Sequence, residues 1–584
     1  MKRELLLGNQ AIARGAWEAG VQFAAGYPGT PSTEILEILS RYPEVHSQWS
    51  ANEKVAFEQG MGASIGGLRT LVTMKHVGLN VAADPFMVFP YAGTNGGFLV
   101  ISADDPGMHS SQNEQDNRYL ARMAKVPVIE PSDAQECKDF VKLALDLSES
   151  FGTPVMMRTT TRLAHHKSLV SLGERQEGAR RTFERDARRL SVPIYRRLLR
   201  PQVEARLERL KQYVESVPIN RVEPGDSRIG VVTSGVAYQY VKEILPQAGV
   251  LRLGVSYPLP AALLRDFCKR HETVYVVEEG EAFIEDFMRS VGIANLQGKD
   301  RFGVIGEYSP GRLAAALNIE ELPQPLNGDL MIMSRPPMFC VGCGHRTVFS
   351  ALRQLKVTVA GDIGCYTMGA LPPYEASHTT FCMGASISTA VGLERAGQER
   401  VVAVIGDSTF VHAGIPALID AVYNRSQLTL VILDNSTTGM TGGQPHPASG
   451  KSITGAEAPK LNLQAMCEAS GVGQIKVVDT WDRKGVMGAL RGALAHPGPA
   501  VVIARGLCQQ LPEMKYREVV PFYVDEGLCT QCEGCFKVWC PAILRNERNF
   551  PEIVHAQCTA CTVCAQVCPT EAIYPFAREP LLRA

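Results

Sequence analysis

The sequence has almost no net charge, because 59 lysines and arginines balance 60 aspartates and glutamates to a formal charge of −1. It therefore lacks the electrostatic excess that draws a protein to nucleic acid or to an acidic membrane surface. It contains no uninterrupted apolar stretch long enough to span a bilayer. Residues 1–7 also lack the apolar core and cleavage site of a signal peptide, so we expect a cytoplasmic protein.

Length and cysteine content point to a multidomain redox protein. At 584 residues and 45% hydrophobic content, the chain is an ordinary globular sequence with room for three to five domains. Its 16 cysteines, without an export signal, favour thiolates and iron–sulfur clusters over disulfides. Clusters of low potential further suggest a reducing, anaerobic cytoplasm.

Eight cysteines fall near the C-terminus in two runs of similar spacing. The runs are Cys529-x2-Cys532-x2-Cys535-x4-Cys540-Pro541 and Cys558-x2-Cys561-x2-Cys564-x3-Cys568-Pro569. The second run has the spacing of bacterial two-cluster ferredoxins, in which the fourth cysteine of each run binds the other cluster. The pattern predicts two [4Fe–4S] clusters, one held by Cys529, Cys532, Cys535 and Cys568, the other by Cys540, Cys558, Cys561 and Cys564. A pair of zinc knuckles is the alternative, which the repeated Cys-x2-Cys spacing disfavours. The first run has four residues between Cys535 and Cys540, where the second run has three between Cys564 and Cys568, so Cys540 departs from the pattern.

Alternating strand and helix patterns occupy most of the remaining chain. They form three blocks, at 1–170, 228–325 and 336–510, followed by the cysteine-rich segment at 520–584. Such alternation predicts α/β domains with parallel sheets covered on both faces. Between the first two blocks, residues 171–227 are rich in arginine and glutamate. We expect a solvated helical connector with surface ion pairs there, and a surface for an acidic partner is the alternative.

Two strand-end motifs in the third block predict a magnesium and diphosphate site. A strand at 401–405 leads into Gly406-Asp407-Ser408, and a strand at 428–433 leads into Asp434-Asn435-Ser436-Thr437. A helix at about 414–423 would connect them, which places both motifs at the carboxyl ends of neighbouring parallel strands. Asp407 and the Asn435 amide oxygen are hard oxygen ligands suited to Mg²⁺, and diphosphate oxygens would complete an octahedron. Gly406 permits close backbone approach, and the following helix N-terminus favours an anion.

These motifs resemble the sequence fingerprint of thiamine diphosphate-binding enzymes, although two residues of that fingerprint differ in this chain. Chemistry with that cofactor needs a carboxylate against the aminopyrimidine ring, where it assists removal of the thiazolium C2 proton. Glu53, at the start of a helix with many small residues, is the candidate. Glu58 is its rival, and a merely structural helix-start carboxylate is the alternative interpretation.

Taken together, the chain resembles the thiamine diphosphate-dependent 2-oxoacid:ferredoxin oxidoreductase family over essentially its whole length. Further segments that carry the resemblance are Tyr27-Pro28-Gly29-Thr30-Pro31-Ser32, Cys340-Val341-Gly342-Cys343-Gly344-His345, Gly361-Asp362-Ile363-Gly364-Cys365 and Met383-Gly384-Ala385-Ser386. The domain order is similar to that of the large subunits of arylpyruvate-specific members. It implies a pyrimidine-binding domain at 1–170, a transketolase-C-like domain at 228–325, a diphosphate-binding domain at 336–510 and a two-cluster ferredoxin domain at 520–584.

The resemblance also implies roles for individual residues. Thr30 would face the substrate, and a backbone carbonyl near Thr437 would be the third magnesium ligand. Independently of the resemblance, Lys75 and His76 follow a strand end and are candidates to bind the substrate carboxylate, with His378 and His412 as further polar candidates. A structural role is the alternative for each histidine. The cofactor-binding set would be Gly364, Cys365, Cys382, Gly384, Ala385, Gly406, Asp407, Ser408, Asn435 and Thr437. Related enzymes hold a third [4Fe–4S] cluster on cysteines that match Cys340, Cys343 and Cys365, and Cys508 is placed to be the fourth ligand. Free thiols lining a cofactor pocket are the alternative for these cysteines.

The implied reaction is the oxidative decarboxylation of an arylpyruvate such as indolepyruvate. Coenzyme A would take the acyl group as a thioester, and electrons would pass singly through the clusters to an external ferredoxin. The resemblance implies a separate beta subunit, similar to the gamma domain of pyruvate oxidoreductases, in an α2β2 assembly. Three alternatives remain: the same machinery acting on pyruvate or 2-oxoglutarate, a non-oxidative thiamine decarboxylase, and an electron-transfer protein without its own catalysis. The cysteine-rich tail disfavours the second alternative, and the pairing of Asp407 with Asn435 disfavours the third.

Overall fold

The computed structural model describes residues 2–178, 181–183, 185–319 and 337–576. The chain divides into two compact units, Met1–Leu330 and Met331–Ala584. The first unit contains the first two α/β blocks, and the second contains the third block and the cysteine-rich segment.

A seven-stranded sheet forms the centre of the first unit. Its spatial order is Val255–Tyr257, Val128–Ile129, Val155–Thr160, Phe98–Asp104, Thr70–Lys75, Phe23–Gly26 and His46–Trp49. All neighbouring pairs are parallel except the edge pair formed by Val255–Tyr257 with Val128–Ile129. The central strands Phe98–Asp104 and Val155–Thr160 are buried at every position, as expected for parallel strands with covered faces.

Helices cover this sheet, and their ends follow local sequence signals. They are Gly8–Glu18, Thr33–Leu39, Glu53–Ile65, His76–Val81, Ala83–Ala92, Arg118–Ala124, Ala134–Phe151 and Thr161–His165. The Asp133 side chain accepts a hydrogen bond from Glu136 N and so caps the longest of these helices. That helix ends where Gly152 adopts a left-handed conformation. A two-stranded sheet, Arg3–Leu7 with Lys167–Ser171, closes the block.

The arginine-rich segment forms the helix Pro193–Val214, preceded by a short turn at Ala187–Arg189. Its outer face carries ion pairs such as Arg200 with Glu204 at 2.7 Å. Its inner face is buried and includes Arg206, whose guanidinium donates to Pro90 O at 2.7 Å. The segment is therefore helical, as predicted, but one face packs against the domain and is not solvated.

The second α/β block contains a four-stranded sheet in the order Thr273–Val277, Asp226–Ser234, Ala248–Leu253 and Arg221–Glu223. Its helices are Ala237–Ile244, Ala261–Cys268, Phe283–Ser290, Lys299–Phe302 and Pro310–Leu317. The strand Val255–Tyr257 leaves this block to join the seven-stranded sheet. The first two blocks therefore share a sheet, which the sequence pattern did not predict.

A five-stranded, entirely parallel sheet forms the centre of the second unit. Its order is Thr358–Ala360, Val401–Gly406, Thr429–Asp434, Ala500–Arg505 and Gln474–Asp479. The surrounding helices are His345–Leu355, Ala385–Arg395, Asp407–Thr409, Ile415–Tyr423, Leu463–Ala469, Arg483–Ala495 and Pro512–Lys515. A π-helical turn at Phe410–Gly414 leads into Ile415–Tyr423, so the predicted connecting helix is present.

The cysteine-rich segment folds around two small antiparallel strand pairs. These are Phe522–Val524 with Ile573–Pro575 and Ile543–Arg545 with Pro551–Ile553. Apolar residues from all four strands pack with Cys535 and Cys558 into a small core. In the portions of the chain that the structure describes, no helix has the length and apolar character needed to cross a membrane.

Candidate functional site

Asp407 and Asn435 lie at the carboxyl ends of adjacent parallel strands. Asp407 directly follows Val401–Gly406, and Asn435 directly follows Thr429–Asp434. The register pairs Gly406 with Leu433, so the two strands end side by side. The strand-end placement predicted from the two motifs is therefore confirmed.

The Asp407 carboxylate is buried and held by the loop that follows the next strand. Its Oδ2 atom accepts hydrogen bonds from Ser436 N at 2.7 Å and Asn435 N at 3.2 Å. The Asn435 Oδ1 atom accepts from Thr437 N at 3.0 Å. His446, which the sequence analysis missed, places its Nε2 atom 3.3 Å from Asp407 Oδ2. This loop therefore brings the Asp407 carboxylate and the Asn435 amide oxygen together with three backbone N–H groups.

The electrostatics of this loop suit a divalent cation. Burial raises the pKa of Asp434, and the neighbouring Asp407 carboxylate raises it further, while Arg505 at 2.8 Å acts in the opposite direction. A cation would relieve the repulsion between the two carboxylates. In the described part of the chain, the surroundings of Asp407 contain no group of three His, Cys, Asp or Glu side chains that could hold a metal ion without further ligands. Magnesium here would therefore depend on amide, carbonyl and diphosphate oxygens.

Asp362 joins two of the predicted cofactor-binding loops. Its carboxylate accepts hydrogen bonds from Gly384 N at 2.7 Å and Ser386 N at 2.9 Å. Gly384 has a φ of 84°, a left-handed conformation that favours glycine, directly before the helix Ala385–Arg395. The sequence motifs contained Asp362, but only the fold shows that it connects the two loops. Cys382, just before this turn, is exposed.

Four cysteines predicted to form a third cluster site line one cavity of about 80 Å³. They are Cys340, Cys343, Cys365 and Cys508. Asn435 also lines this cavity, and its carbonyl accepts a hydrogen bond from Cys508 N at 3.1 Å. The cysteine cavity therefore adjoins the loop that follows the strand Thr429–Asp434, and the third cluster itself stays a prediction.

The eight C-terminal cysteines fall into the two groups that the ferredoxin spacing predicts. The first group, Cys529, Cys532, Cys535 and Cys568, lines a cavity of about 330 Å³. In the second group, burial raises the pKa of Cys564, and the nearby Cys561, Cys540 and Cys558 raise it further. Cys540 thus lies with the second group despite its irregular spacing. Binding of iron–sulfur clusters by either group stays a prediction.

Burial distinguishes Glu53 from Glu58 in the first unit. Glu53 begins the helix Glu53–Ile65 and is 5% exposed. Asn52 caps this helix by accepting a hydrogen bond from Val55 N at 2.9 Å. Glu58 lies on the outer face of the helix, where it pairs with Lys54. A carboxylate in an apolar cofactor pocket therefore fits Glu53 better than Glu58.

One loop brings Thr30, Lys75 and His76 together. The Ser110 carbonyl accepts from Lys75 Nζ at 2.8 Å, and the Ser110 hydroxyl donates to Thr30 O at 3.3 Å. His76 Nε2 lies 3.1 Å from Asn113 Oδ1. Burial lowers the pKa of Lys75, while the charges of Asp105 and Glu53 act in the opposite direction. The sequence analysis missed this loop, which carries no recognised motif.

The two remaining histidine candidates belong to the second unit. His378 is exposed, and its Nδ1 atom accepts a hydrogen bond from Val359 N at 3.0 Å, which indicates a backbone-capping role. His412 is buried in the π-helical turn Phe410–Gly414. Neither position identifies a substrate contact.

A buried network of ion pairs supports the loop whose residues Ser110 and Asn113 contact Lys75 and His76. Asn117, at the end of this loop, donates from its backbone N to Asp104 Oδ2 at 3.2 Å. Asp104 pairs with Arg158 at 2.6 Å, and Arg118 pairs with Glu278 of the second α/β block at 2.8 Å. All four charged side chains are at most 3% exposed. The network therefore connects the loop that carries Ser110 and Asn113 to both blocks of the first unit.

Two segments match known protein families. Residues 14–203 match the family described as pyruvate flavodoxin/ferredoxin oxidoreductase, thiamine diphosphate-binding. Residues 362–504 match the family described as thiamine pyrophosphate enzyme, C-terminal TPP-binding domain. The second match spans both strand-end motifs, and the first spans Thr30, Glu53, Lys75 and His76.

The chain is also similar over nearly its whole length to proteins named indolepyruvate oxidoreductase subunit IorA. The protein of Archaeoglobus fulgidus is 42% identical over 98% of both chains. That of Methanothermobacter marburgensis is 40% identical over 98% of this chain and 97% of its own. That of Pyrococcus abyssi is 39% identical over 98% of this chain and 96% of its own.

Proposed function

Because the chain belongs to the family of indolepyruvate oxidoreductase IorA subunits, we propose that it is the catalytic large subunit of an arylpyruvate-specific enzyme. The enzyme class is that of the thiamine diphosphate-dependent 2-oxoacid:ferredoxin oxidoreductases. The proposed substrate is indolepyruvate or a related arylpyruvate, with coenzyme A as acyl acceptor and ferredoxin as electron acceptor. The observation that carries this proposal is the end-to-end similarity to the IorA chains, at up to 42% identity.

The second unit would hold the magnesium ion and the diphosphate of the cofactor. Asp407, Asn435 and the Thr437 carbonyl are the proposed magnesium ligands, supported by the repulsion between Asp407 and Asp434 that a cation would relieve. The backbone around Gly384, Ala385, Gly406 and Ser408 would contact the diphosphate, with Gly364, Cys365 and Cys382 as further cofactor contacts. When bound, thiamine diphosphate supplies the electron sink for loss of carbon dioxide.

The first unit would orient the pyrimidine ring and the substrate. Glu53, buried at a capped helix start, would hold a proton at the pyrimidine ring. Lys75 is the cation available to the 2-oxoacid carboxylate, and His76 and Thr30 lie around the same loop. The loop that carries Ser110 would exclude water from this region.

The cysteine groups would carry electrons away from the decarboxylated substrate. Two [4Fe–4S] clusters are proposed for the C-terminal groups, and a third for the cavity lined by Cys340, Cys343, Cys365 and Cys508. Iron analysis of the anaerobically purified protein tests the third cluster. About twelve irons per chain supports it, and about eight contradicts it.

The test of the proposed function is an anaerobic assay of this chain co-expressed with the proposed beta subunit. It follows coenzyme A-dependent viologen reduction with indolepyruvate, phenylpyruvate, pyruvate and 2-oxoglutarate. Preference for the two aromatic acids supports the arylpyruvate assignment. Preference for pyruvate or 2-oxoglutarate keeps the mechanism but replaces the substrate. Gel filtration of the same preparation tests the proposed α2β2 assembly.

A further inference from the structure

Arg346 lies where the cysteine cavity of the diphosphate domain meets the cysteine-rich segment. Its side chain is 5% exposed. The Nε atom donates to Cys340 O at 2.8 Å, and the Nη atoms donate to Phe339 O and Trp539 O. One guanidinium therefore joins the backbone of the Cys340 loop to the residue that directly precedes Cys540.

Backbone carbonyls and one hydroxyl accept hydrogen bonds from Arg346, but no carboxylate among the described residues neutralises its charge. The remaining hydrogen bond runs from Nη1 to the Tyr374 hydroxyl at 3.1 Å. No Asp or Glu in the described part of the chain forms an ion pair with it, whereas the buried Arg118 and Arg158 each pair with carboxylates. A buried charge is costly unless it is paired, and an anionic thiolate-ligated cluster is a group that would pair it.

The charge of Arg346 acts on cysteines of two different groups. Burial raises the pKa of Cys343 to about 12, and it raises the pKa of Cys540 and of Cys561. Arg346 lowers the pKa of all three against this effect of burial. The guanidinium thus lies close to both the cavity group and the second C-terminal group.

The two groups are also in direct contact through their loops. Gly342 has a φ of 69°, and a Cβ atom at this position would lie 2.0 Å from Thr559 Oγ1. The Trp481 indole donates to Gly342 O at 2.9 Å and fixes the loop from the other side. Because Gly342 and Thr559 each lie within two residues of predicted ligands, the two sites are close enough to share one cation.

We propose that Arg346 is a positioning residue whose single positive charge is shared by two cluster sites and raises the reduction potentials of both clusters. The sites are the cavity group with Cys343 and the C-terminal group with Cys540. Clusters held at these sites would carry electrons singly from the decarboxylated substrate towards ferredoxin. The accepted electron adds a negative charge, which a buried cation stabilises. This inference rests on the proposed function because it presupposes clusters on these cysteines.

The test uses the complex with the beta subunit and EPR-monitored redox titration. The variants are Arg346→Gln, which keeps hydrogen-bond donors but removes the charge, and Arg346→Lys, which keeps the charge. Arg353→Gln is the matched control, since Arg353 lies on the same helix but is exposed and donates to Tyr374 O at 2.9 Å. In Arg346→Gln we expect the ratio of reduced to oxidised form of both clusters at a fixed potential to fall about tenfold, which corresponds to a shift of about 59 mV for a one-electron step. The cluster on Cys529, Cys532, Cys535 and Cys568 is an internal control and should not shift.

Each outcome decides the inference. Lower potentials in Arg346→Gln, with wild-type values in Arg346→Lys and Arg353→Gln, support it, as does loss of iron in Arg346→Gln alone. Unchanged potentials in a fully loaded Arg346→Gln variant overturn it. Equal loss of iron in both Arg346 variants also overturns it, because the charge would then not matter. A wild-type protein without iron would instead contradict the proposed function. A wild-type protein with about eight irons would leave the proposed function in place but overturn the shared role of Arg346, because the cavity group would then hold no cluster.

Discussion

At the scale of single residues, burial decides which of several similar side chains can do chemistry. Glu53 and Glu58 lie on the same helix, yet Glu53 is 5% exposed and the Glu58 side chain is 47% exposed. A buried carboxylate can be held in a fixed position against a cofactor ring, whereas the exposed Glu58 carboxylate pairs with Lys54 at the surface.

The exchange Glu53→Gln tests this distinction. Removal of a general acid–base group typically lowers turnover by about 10²- to 10⁴-fold, and we expect a loss of kcat in that range. Glu58→Gln is the matched control and should keep wild-type activity. The measurement is kcat for viologen reduction in protein with equal thiamine and iron content. Equal activities of the two variants would contradict the assignment of Glu53.

A second residue-scale prediction concerns Glu279, beside the buried ion pairs. Burial raises the pKa of Glu279 to about 7, against the hydrogen bond from Tyr308 N and the charge of Arg158. The Glu279 carboxyl group therefore binds its proton more tightly in the folded state than in the unfolded state. Stability is lost as the pH rises from about 4.5 to about 7, by up to about 3 kcal/mol, and stays lower above that range.

Glu279→Gln removes this penalty while keeping an acceptor for Tyr308 N. We expect the variant to unfold at a higher temperature than wild type at pH 8 and at nearly the same temperature at pH 5. The measurement is the thermal unfolding midpoint of the first transition at both pH values. An equal difference at both pH values would show that ionisation of Glu279 is not the cause.

At the scale of elements, the helix Glu53–Ile65 shows how closely the first unit is packed against its central strands. A Cβ atom at Gly60 would lie 2.5 Å from Val72 Cγ2 and 2.9 Å from Phe98 Cε2, both on central strands. At Gly62, two residues later, a Cβ atom would meet nothing within 4 Å. The same helix therefore has one glycine that permits close packing and one that does not.

The exchanges Gly60→Ala and Gly62→Ala should have opposite effects. Overpacking at Gly60 should destabilise the first unit by about 1–3 kcal/mol and displace Glu53. At Gly62, alanine should stabilise the helix by about 0.5–1 kcal/mol through its higher helix propensity. Denaturant unfolding followed by circular dichroism measures both changes. A shift of the same sign in both variants would contradict this account of the helix packing.

At the scale of the whole molecule, the residues proposed to do chemistry are divided between the two units. The first unit carries Glu53 and Lys75, and the second carries Asp407, Asn435 and the three cysteine groups. Within the second unit, cysteines distant in sequence converge, since Cys568 joins the Cys529 run and Cys508 joins the Cys340 loop. Each proposed cluster would therefore take its ligands from two segments of the chain.

Single serine exchanges test the grouping of the C-terminal cysteines. Cys568→Ser should remove the cluster of the Cys529 group, and Cys540→Ser the other, each with a loss of about four irons per chain. The half-buried Cys268 of the first unit is the control, and Cys268→Ser should keep full iron content. EPR spectra of the reduced proteins identify which cluster is lost. Loss of the Cys558-group signal in Cys568→Ser would contradict the grouping.

Periodicity and motif spacing in the sequence were sufficient to predict the α/β blocks, the main strands and the strand-end placement of Asp407 and Asn435. A buried parallel strand is a run of consecutive apolar residues, and such runs are visible without a structure. The short strands His46–Trp49 and Val128–Ile129 were missed because two to four residues show no period. The spacing of the eight C-terminal cysteines likewise predicted their division into two groups.

Tertiary structure alone decided which residues far apart in the sequence meet. It brought Ser110 to Lys75 and Thr30, His446 to Asp407, and Arg346 to both cysteine groups. It also placed the strand Val255–Tyr257 at the edge of the seven-stranded sheet. Local patterns report the conformation of nearby residues, whereas these contacts arise from the packing of whole elements, which no local pattern encodes.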